Sequence, residues 1–376
     1  MRAAKNRLLS AFVFCVVICF FTIAVGTLDG NQITYPERID GKRPRSDLST
    51  SGKEGHVRDV SYRLTAFDKD WTLDLKNNKK IISPSFAMRT FDENGLENIE
   101  EAVYDDCHYQ GTIRGVKDSS VVLNTCKGLR GVLDDGKDTF YIAPVSGYKY
   151  GAHSVFQTKE QDSSDVYQGC GNEDVYTEYH VSGDTFGHFS TIRRGISNMD
   201  DFYRPYLTTN ETRYNELVLV ADHRMYLDYN NDTATIKDRV ITLVNAVDAI
   251  YQRINIRIVL KALEIWTNGD PYEREIRGGP DLGKFNNYRN AHLQDKFPHD
   301  NAQLLSQWSW SDCAGMAFVR SMCGRHSAGV NRWSMSSIIG PYVTVAHEMG
   351  HNFGFNHDSG NCKCLTRRGC IMGGHK

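Results

Sequence analysis

The sequence predicts two domains of different class in one chain, a β-rich domain in the first half and an α/β layer domain in the second. Two observations carry this expectation. From Val57 to about Val145 short β-rich runs are separated by turn signals, and after about residue 212 buried strands alternate with apolar residues at helical spacing. The 376 residues leave room for both, at roughly 100–200 residues per domain. Hydrophobic residues make up 40% and aromatics 11%, which suits packed cores and excludes a disordered or low-complexity class. Lys plus Arg number 44 against 46 Asp plus Glu, a net charge of -2 that argues against a nucleic-acid binder working by bulk charge.

The chain opens with Arg2, Lys5 and Arg7, an apolar run from Leu8 to Val25, and the small residues Ala24-Val25-Gly26. That order is a secretory signal peptide over residues 1–26, cleaved before Thr27. The alternative is an uncleaved anchor, because about 18 apolar residues can just span a bilayer. No second run of spanning length follows. Cys15 and Cys19 leave with this segment, so Cys107, Cys126, Cys170, Cys313, Cys323, Cys362, Cys364 and Cys370 enter an oxidising compartment where most should pair. The glycosylation sequons at Asn210 and Asn231 agree with that compartment.

Residues 27 to about 55 are polar and charged and read as a mobile leader. The runs Val60–Leu64, Trp71–Leu75, Gly111–Gly115, Ser120–Leu123 and Thr139–Ala143 then predict a meander of strands. Cys107 and Cys126 flank one of its hairpins and are expected to join across it. Residues 146 to about 212 form a polar connector. Beyond it Glu216–Ala221 is a buried strand, and Thr235–Gln252 sets Val240, Leu243, Val244, Val247 and Ile250 at helical spacing. Asn255–Ile265 is the next strand, a second helix is expected over Asp281–Phe297, and another strand over Ala314–Val319.

The chemistry lies in His347-Glu348-Met349-Gly350-His351, followed by Gly354, His357 and Asp358. Val343, Val345, Ala346, Met349 and Phe353 give this stretch an apolar side, and Pro341 suits a helix start. His347 and His351, four apart, project from one helix face and can bind a single ion. Gly354 can end the helix in the left-handed conformation and let His357 supply a third nitrogen. Three imidazoles leave a tetrahedral zinc one open position for water, the feature that separates a catalytic site from a structural one. Glu348, beside the first ligand, is placed to act as general base on that water. Surface histidines on a helix are the bland alternative, but this set of offsets arises from composition with a probability on the order of 10⁻⁴ over such a length.

The extended zinc motif followed by Cys370-Ile371-Met372-Gly373 resembles a metzincin, with Met372 in the turn that lies under the zinc ligands of that superfamily. His357-Asp358, Glu216–His223, His299–Leu305, Gly315–Val319 and Cys362-x-Cys364 resemble the adamalysin (reprolysin) branch, which contains the ADAM proteases and snake-venom metalloproteinases. The resemblance implies a β-rich propeptide followed by an α/β metzincin-like catalytic domain with a twisted mixed sheet, a zinc helix and a Met-turn. Its boundaries would be signal peptide 1–26, propeptide 27–194, linker 195–211 and metalloprotease domain 212–376. The last is expected to be incomplete, because the chain stops four residues after Met372.

The same resemblance implies further roles. Cys170, in Gln168-Gly-Cys-Gly-Asn172, looks like a cysteine switch whose thiolate fills the zinc's fourth position in a latent form; a disulfide partner or spare thiol is the alternative. Arg193-Arg194 is the dibasic candidate for activating cleavage after Arg194, although Thr191 stands where the usual convertase pattern has Arg. Glu216 and Asp300 match carboxylates that help bind calcium in the family, yet two are too few for its roughly six to eight ligands. Gly329–Ser334 resembles the edge strand that aligns substrate, with Trp333 as either part of that edge or a packing residue. By family pattern Cys364 pairs with Cys370, while Cys323 and Cys362 look for partners beyond Lys376; a Cys313–Cys323 bridge is an alternative that the sequence does not decide. The expected function is that of a latent zinc endopeptidase acting on extracellular or cell-surface proteins, with an activating protease as partner and no nucleic acid. Its rival is a non-proteolytic adhesion or inhibitory fragment of an ADAM-like protein.

Overall fold

A computed structural model describes residues 30–40, 43–45, 47–101, 104–145, 151–157, 211–358 and 370–373. Period-two patterns in the first half build a ten-stranded antiparallel sheet. Its order is Asn31–Thr34, His153–Gln157, Thr139–Pro144, Arg130–Asp134, Ser120–Asn124, His108–Ile113, Lys69–Asn77, Asp59–Ala66, Glu37–Asp40 and Arg43–Arg45. Val121 and Leu123 point to one face, into a core with Tyr62, Leu73, Tyr109 and Phe140, whereas Val132 and Tyr141 face the other way and pack on the second half of the chain. The Cys107–Cys126 disulfide closes the hairpin between two of these strands.

The expected mobile leader is corrected here. Asn31–Thr34 pairs with His153–Gln157, and Glu37–Asp40 pairs with Asp59–Ala66. These strands are held by ladder hydrogen bonds to partners distant in sequence, not by an apolar pattern of their own. For the same reason His153–Gln157 is a strand inside the polar connector.

Seven strands form the second sheet: β1 (Ile82–Phe91), β2 (Glu97–Glu101), β3 (Arg213–Ala221), β4 (Ile256–Ile265), β5 (Asn301–Ser306), β6 (Gly315–Ala317) and β7 (Ala328–Arg332). Their spatial order is β6-β7-β5-β3-β4-β1-β2, parallel throughout except for the antiparallel outer strands β6 and β2. Four helices accompany them, α1 (His223–Asp228), α2 (Thr233–Tyr251), α3 (Gly278–Tyr288) and α4 (Ile339–Phe353). Asp232 caps α2 by accepting from the Thr235 amide at 3.0 Å. Val240, Leu243, Val244 and Val247 of α2 share one core with Val345, Ala346 and Met349 of α4. On the opposite face α3 packs Leu282 and Phe285 against Trp266, Leu293, Phe297 and Trp310. The second helix is shorter than expected, because after Tyr288 the backbone widens into a π-helical turn over Arg289–Leu293.

The two sheets do not follow chain order. β1 and β2 precede the connector, yet β1 lies parallel to β4 with Ala87, Met88 and Arg89 opposite Ala262, Leu263 and Glu264. Their buried Arg89–Glu264 ion pair is 2% and 0% exposed. A polar contact joins the halves where Asn78 and Gln110 donate to Asp248 at 3.0 and 3.1 Å, while Arg257 holds the same carboxylate at 2.8 Å. Asp248 is fully buried, so these donors replace the water it has lost. Among the described residues no helix is long and apolar enough to cross a membrane.

Candidate metal centre

The site is built on α4. Pro341 sits in its first turn, where no intrahelical partner exists for an amide hydrogen. Val345, Ala346 and Met349 bury one side of the helix and so fix which way His347, Glu348 and His351 point. The three are 8%, 1% and 2% exposed. Gly354, at φ 103°, ends the helix: its amide donates to the His351 carbonyl at 2.8 Å, and the Phe355 amide donates to Gly350 at 2.9 Å. This reversal brings His357 back, with its Nε2 3.2 Å from Nε2 of both His347 and His351.

Those contacts are informative because of what the other ring nitrogens do. Nδ1 of His347 lies 2.6 Å from the Ile371 carbonyl, and Nδ1 of His351 lies 2.9 Å from the Phe355 carbonyl. A carbonyl only accepts, so each Nδ1 carries the hydrogen and each Nε2 of a neutral ring presents a lone pair. Burial lowers the pKa of His351, which favours that neutral form. Lone pairs converging on one point suit a cation. Tetrahedral ligands at zinc–nitrogen distances of ~2.0–2.1 Å stand about 3.3 Å apart, close to the observed spacing, so the donor set fits zinc.

Around the histidines a second set of contacts fixes their aim. The turn at Cys370–Gly373 is stitched beneath them, since Ile371 accepts from His347 and Met372 accepts from the Asp358 amide at 2.8 Å. Met372 sits against Gly350, where a methyl group would collide with its sulfur. Asn352, which the sequence reading left without a role, ties α4 to the sheet: its Oδ1 accepts from Asn301 and Gln303 at 2.7 and 2.9 Å, and its Nδ2 donates to the Phe318 and Ala328 carbonyls. Its only signal in sequence is a polar residue following a metal-ligand histidine. The Tyr251 hydroxyl donates to the Ala346 carbonyl at 2.7 Å, bracing the turn before His347. Gly315 of β6 faces Glu348 so closely that a Cβ there would stand 2.6 Å from Oε1.

Other expected features fall differently. Gly329–Ser334 is not the edge: β7 pairs with β5 on one side and β6 on the other, so among the described residues the edge at this end of the sheet belongs to Gly315–Ala317. Trp333 is 3% exposed and its indole donates to Tyr229, which makes it a packing residue. Glu216 and Asp300 are neighbours, but Lys261 stands 3.1 Å from Glu216 Oε1 and the Glu216 amide donates to Asp300. Among the described residues they join no cluster of three or more candidate ligands, so calcium finds no support. Cys313 and Cys323 are both free, one buried and the other exposed, which removes the bridge between them. Burial pushes the Cys313 thiol up. Cys370 is disulfide-bonded to a partner outside the described residues. Asn231 is exposed in the turn before α2. The signal segment, Cys170, Arg194, Asn210, Cys362 and Cys364 also lie outside the described residues.

A nitrogen-only ligand set that leaves a tetrahedral ion one position, with a buried acid next in sequence to a ligand, is the equipment of a hydrolytic metal site. It places the second half of the chain among the zinc metalloendopeptidases. Sequence comparison gives the same answer: residues 213–376 match the family described as reprolysin (M12B) family zinc metalloprotease, and residues 27–114 match the reprolysin family propeptide. The chain belongs to the reprolysin family. It is 32% identical over 348 residues to human disintegrin and metalloproteinase domain-containing protein 9, covering 92% of this chain and 41% of that one. Against human disintegrin and metalloproteinase domain-containing protein 19 the identity is 31% over 325 residues, covering 85% and 33%. The chain therefore spans less than half the length of these relatives. A solved structure described as a chaperone-substrate complex aligns over 40% of this chain and 26% of its own, at 14% identity and a TM-score of 0.34, too low to bear on the fold.

Proposed function

We propose that the chain is a latent zinc endopeptidase of the secretory pathway that cleaves extracellular or cell-surface proteins. The observation that carries this is the convergence of the three histidine Nε2 atoms beside a glutamate that is 1% exposed. His347, His351 and His357 would hold the ion, and the turn with Met372 beneath them supports a metzincin-like reading of residues 212–376. When bound, zinc supplies Lewis-acid chemistry, acidifying water and polarising a carbonyl. Glu348 takes the proton of the attacking water and returns it to the leaving amine. An extended peptide adds to the outer edge of β6, whose ladder groups hold the scissile bond beside Glu348 without reading side chains. Gly315 supplies the room for that carboxylate. Gly315→Ala is expected to displace it, lowering kcat at unchanged zinc content while costing about 1–3 kcal/mol of stability; a wild-type kcat in a peptide-cleavage assay would refute the placement.

Latency is assigned to residues 27–194, with Cys170 as the thiolate that takes the remaining zinc position and excludes water. Cutting after Arg194, by an activating protease that tolerates Thr191, would free the Cys170 thiol to leave the metal. The signal segment, the sequons at Asn210 and Asn231, and the disulfide between Cys107 and Cys126 support the secretory route. The test is a peptidase assay on the uncut chain. Cys170→Ser should cleave without linker proteolysis where the parent chain is silent, and a silent variant that still binds zinc would count against the switch.

A further inference from the structure

A second contact between the two halves lies on the sheet face away from the metal centre. Side chains alternate along β4, so Leu263 and Ile265 face α2 and α4 while Ala262, Glu264 and Trp266 face α3. There Glu264, fully buried, receives the Trp266 indole and the Tyr288 hydroxyl at 2.6 Å each. Arg89 of β1 completes the socket by pairing with Glu264 and donating to the His292 carbonyl at 3.1 Å, its guanidinium stacked 5.5 Å from the Phe297 ring. Two residues on, the Phe91 amide donates to Thr267 Oγ1 at 2.8 Å. The protease half thus supplies an acceptor, two donors that fix it, an aromatic wall and an open strand edge. The propeptide half supplies a strand and an arginine. Without the arginine, Glu264 has no cation within ion-pair distance among the described residues, and a buried carboxylate left alone is costly.

We propose that the β4 edge with the Glu264 socket is a recognition site for an extended peptide strand bearing an arginine. Its occupant is the chain's own Ile82–Phe91 strand, which stays bound after the linker is cut. The proposal rests on the propeptide–protease reading for the names of the two halves, but not on activity. It makes retention of the propeptide independent of any thiol at the metal, because Arg89 holds Glu264 on the sheet face away from the metal centre.

The test uses the full chain with Cys170→Ser, which removes the thiol anchor, and a specific cleavage site placed after Arg194. After cutting, the two halves should co-elute in gel filtration; their separation would overturn the proposal. Arg89→Met should weaken their association by about 100-fold or more, and unchanged retention would equally overturn it. Should that variant fail to fold, the cut parent complex decides. A synthetic peptide of the Ile82–Phe91 sequence should displace a labelled propeptide half, whereas the peptide with alanine for arginine should not. Equal displacement by both peptides would mean that the edge reads backbone alone and that the arginine site does not exist. Cleavage activity is not scored, so a chain that binds its propeptide but hydrolyses nothing would sink the enzyme reading and leave this one standing.

Discussion

Glu348→Ala is expected to abolish measurable proteolysis while leaving zinc in place. The side chain is almost wholly buried, next in sequence to His347, and packed against the one strand with a free edge on that side of the sheet. None of the three converging nitrogens belongs to it, so its removal subtracts proton transfer and not metal affinity. General acid–base catalysis by a positioned carboxylate is worth about 10²–10⁴-fold in rate, and kcat/KM should fall by that factor with zinc content unchanged. Both quantities can be read on one sample, by metal analysis and by cleavage of a quenched peptide. A variant that loses zinc together with activity would show that Glu348 holds the site together instead of acting on the reacting water.

His351→Ala is expected to do the opposite. His351 does two jobs: its Nε2 meets His357, while its Nδ1 pins the Phe355 carbonyl and so holds the reversal that returns His357. Losing it removes one ligand and loosens another, and catalytic zinc is ordinarily held by three protein ligands. Zinc content should drop to near background and activity with it, and added zinc should restore little of either. Full zinc occupancy in this variant would place the metal elsewhere.

Much of this site was legible because its signals are local. The four-residue spacing of His347 and His351, the apolar stripe beneath them and a glycine at the helix end all act within two turns of α4, so sequence spacing translates directly into geometry. Cys107 and Cys126 were legible for the same reason, as the flanks of a single hairpin. What failed was lateral order in the sheets. Nothing within Gly329–Ser334 tells whether the strand lies at the edge or inside, because that depends on where β6 docks. Likewise Asn31–Thr34 and Glu37–Asp40 carry little apolar pattern, and their ladder partners make them strands.

The crossing of β1 into the second sheet is the clearest case. Its run from Ile82 to Phe91 looks like one more strand of a meander, and its parallel partner lies beyond the whole connector. The fit of Arg89 to Glu264 helps to fix that pairing, together with the burial of Ile82, Phe86 and Met88, and a lone arginine in a strand carries no such message. Asn352 is similar: the sequence places it after a ligand, and the packing of α4 against Asn301 and Gln303 gives it work.

Three histidines hold a zinc ion which, with Glu348, cleaves peptide bonds once the Cys170 thiol no longer takes the ion's remaining position. The direct measurement is peptide cleavage by the purified chain cut after Arg194, with zinc content determined on the same sample before and after chelation. One zinc per chain is expected, with cleavage that disappears with the metal and recovers when zinc is returned. Stoichiometric zinc with no cleavage after the cut, or cleavage that survives zinc removal, would contradict it.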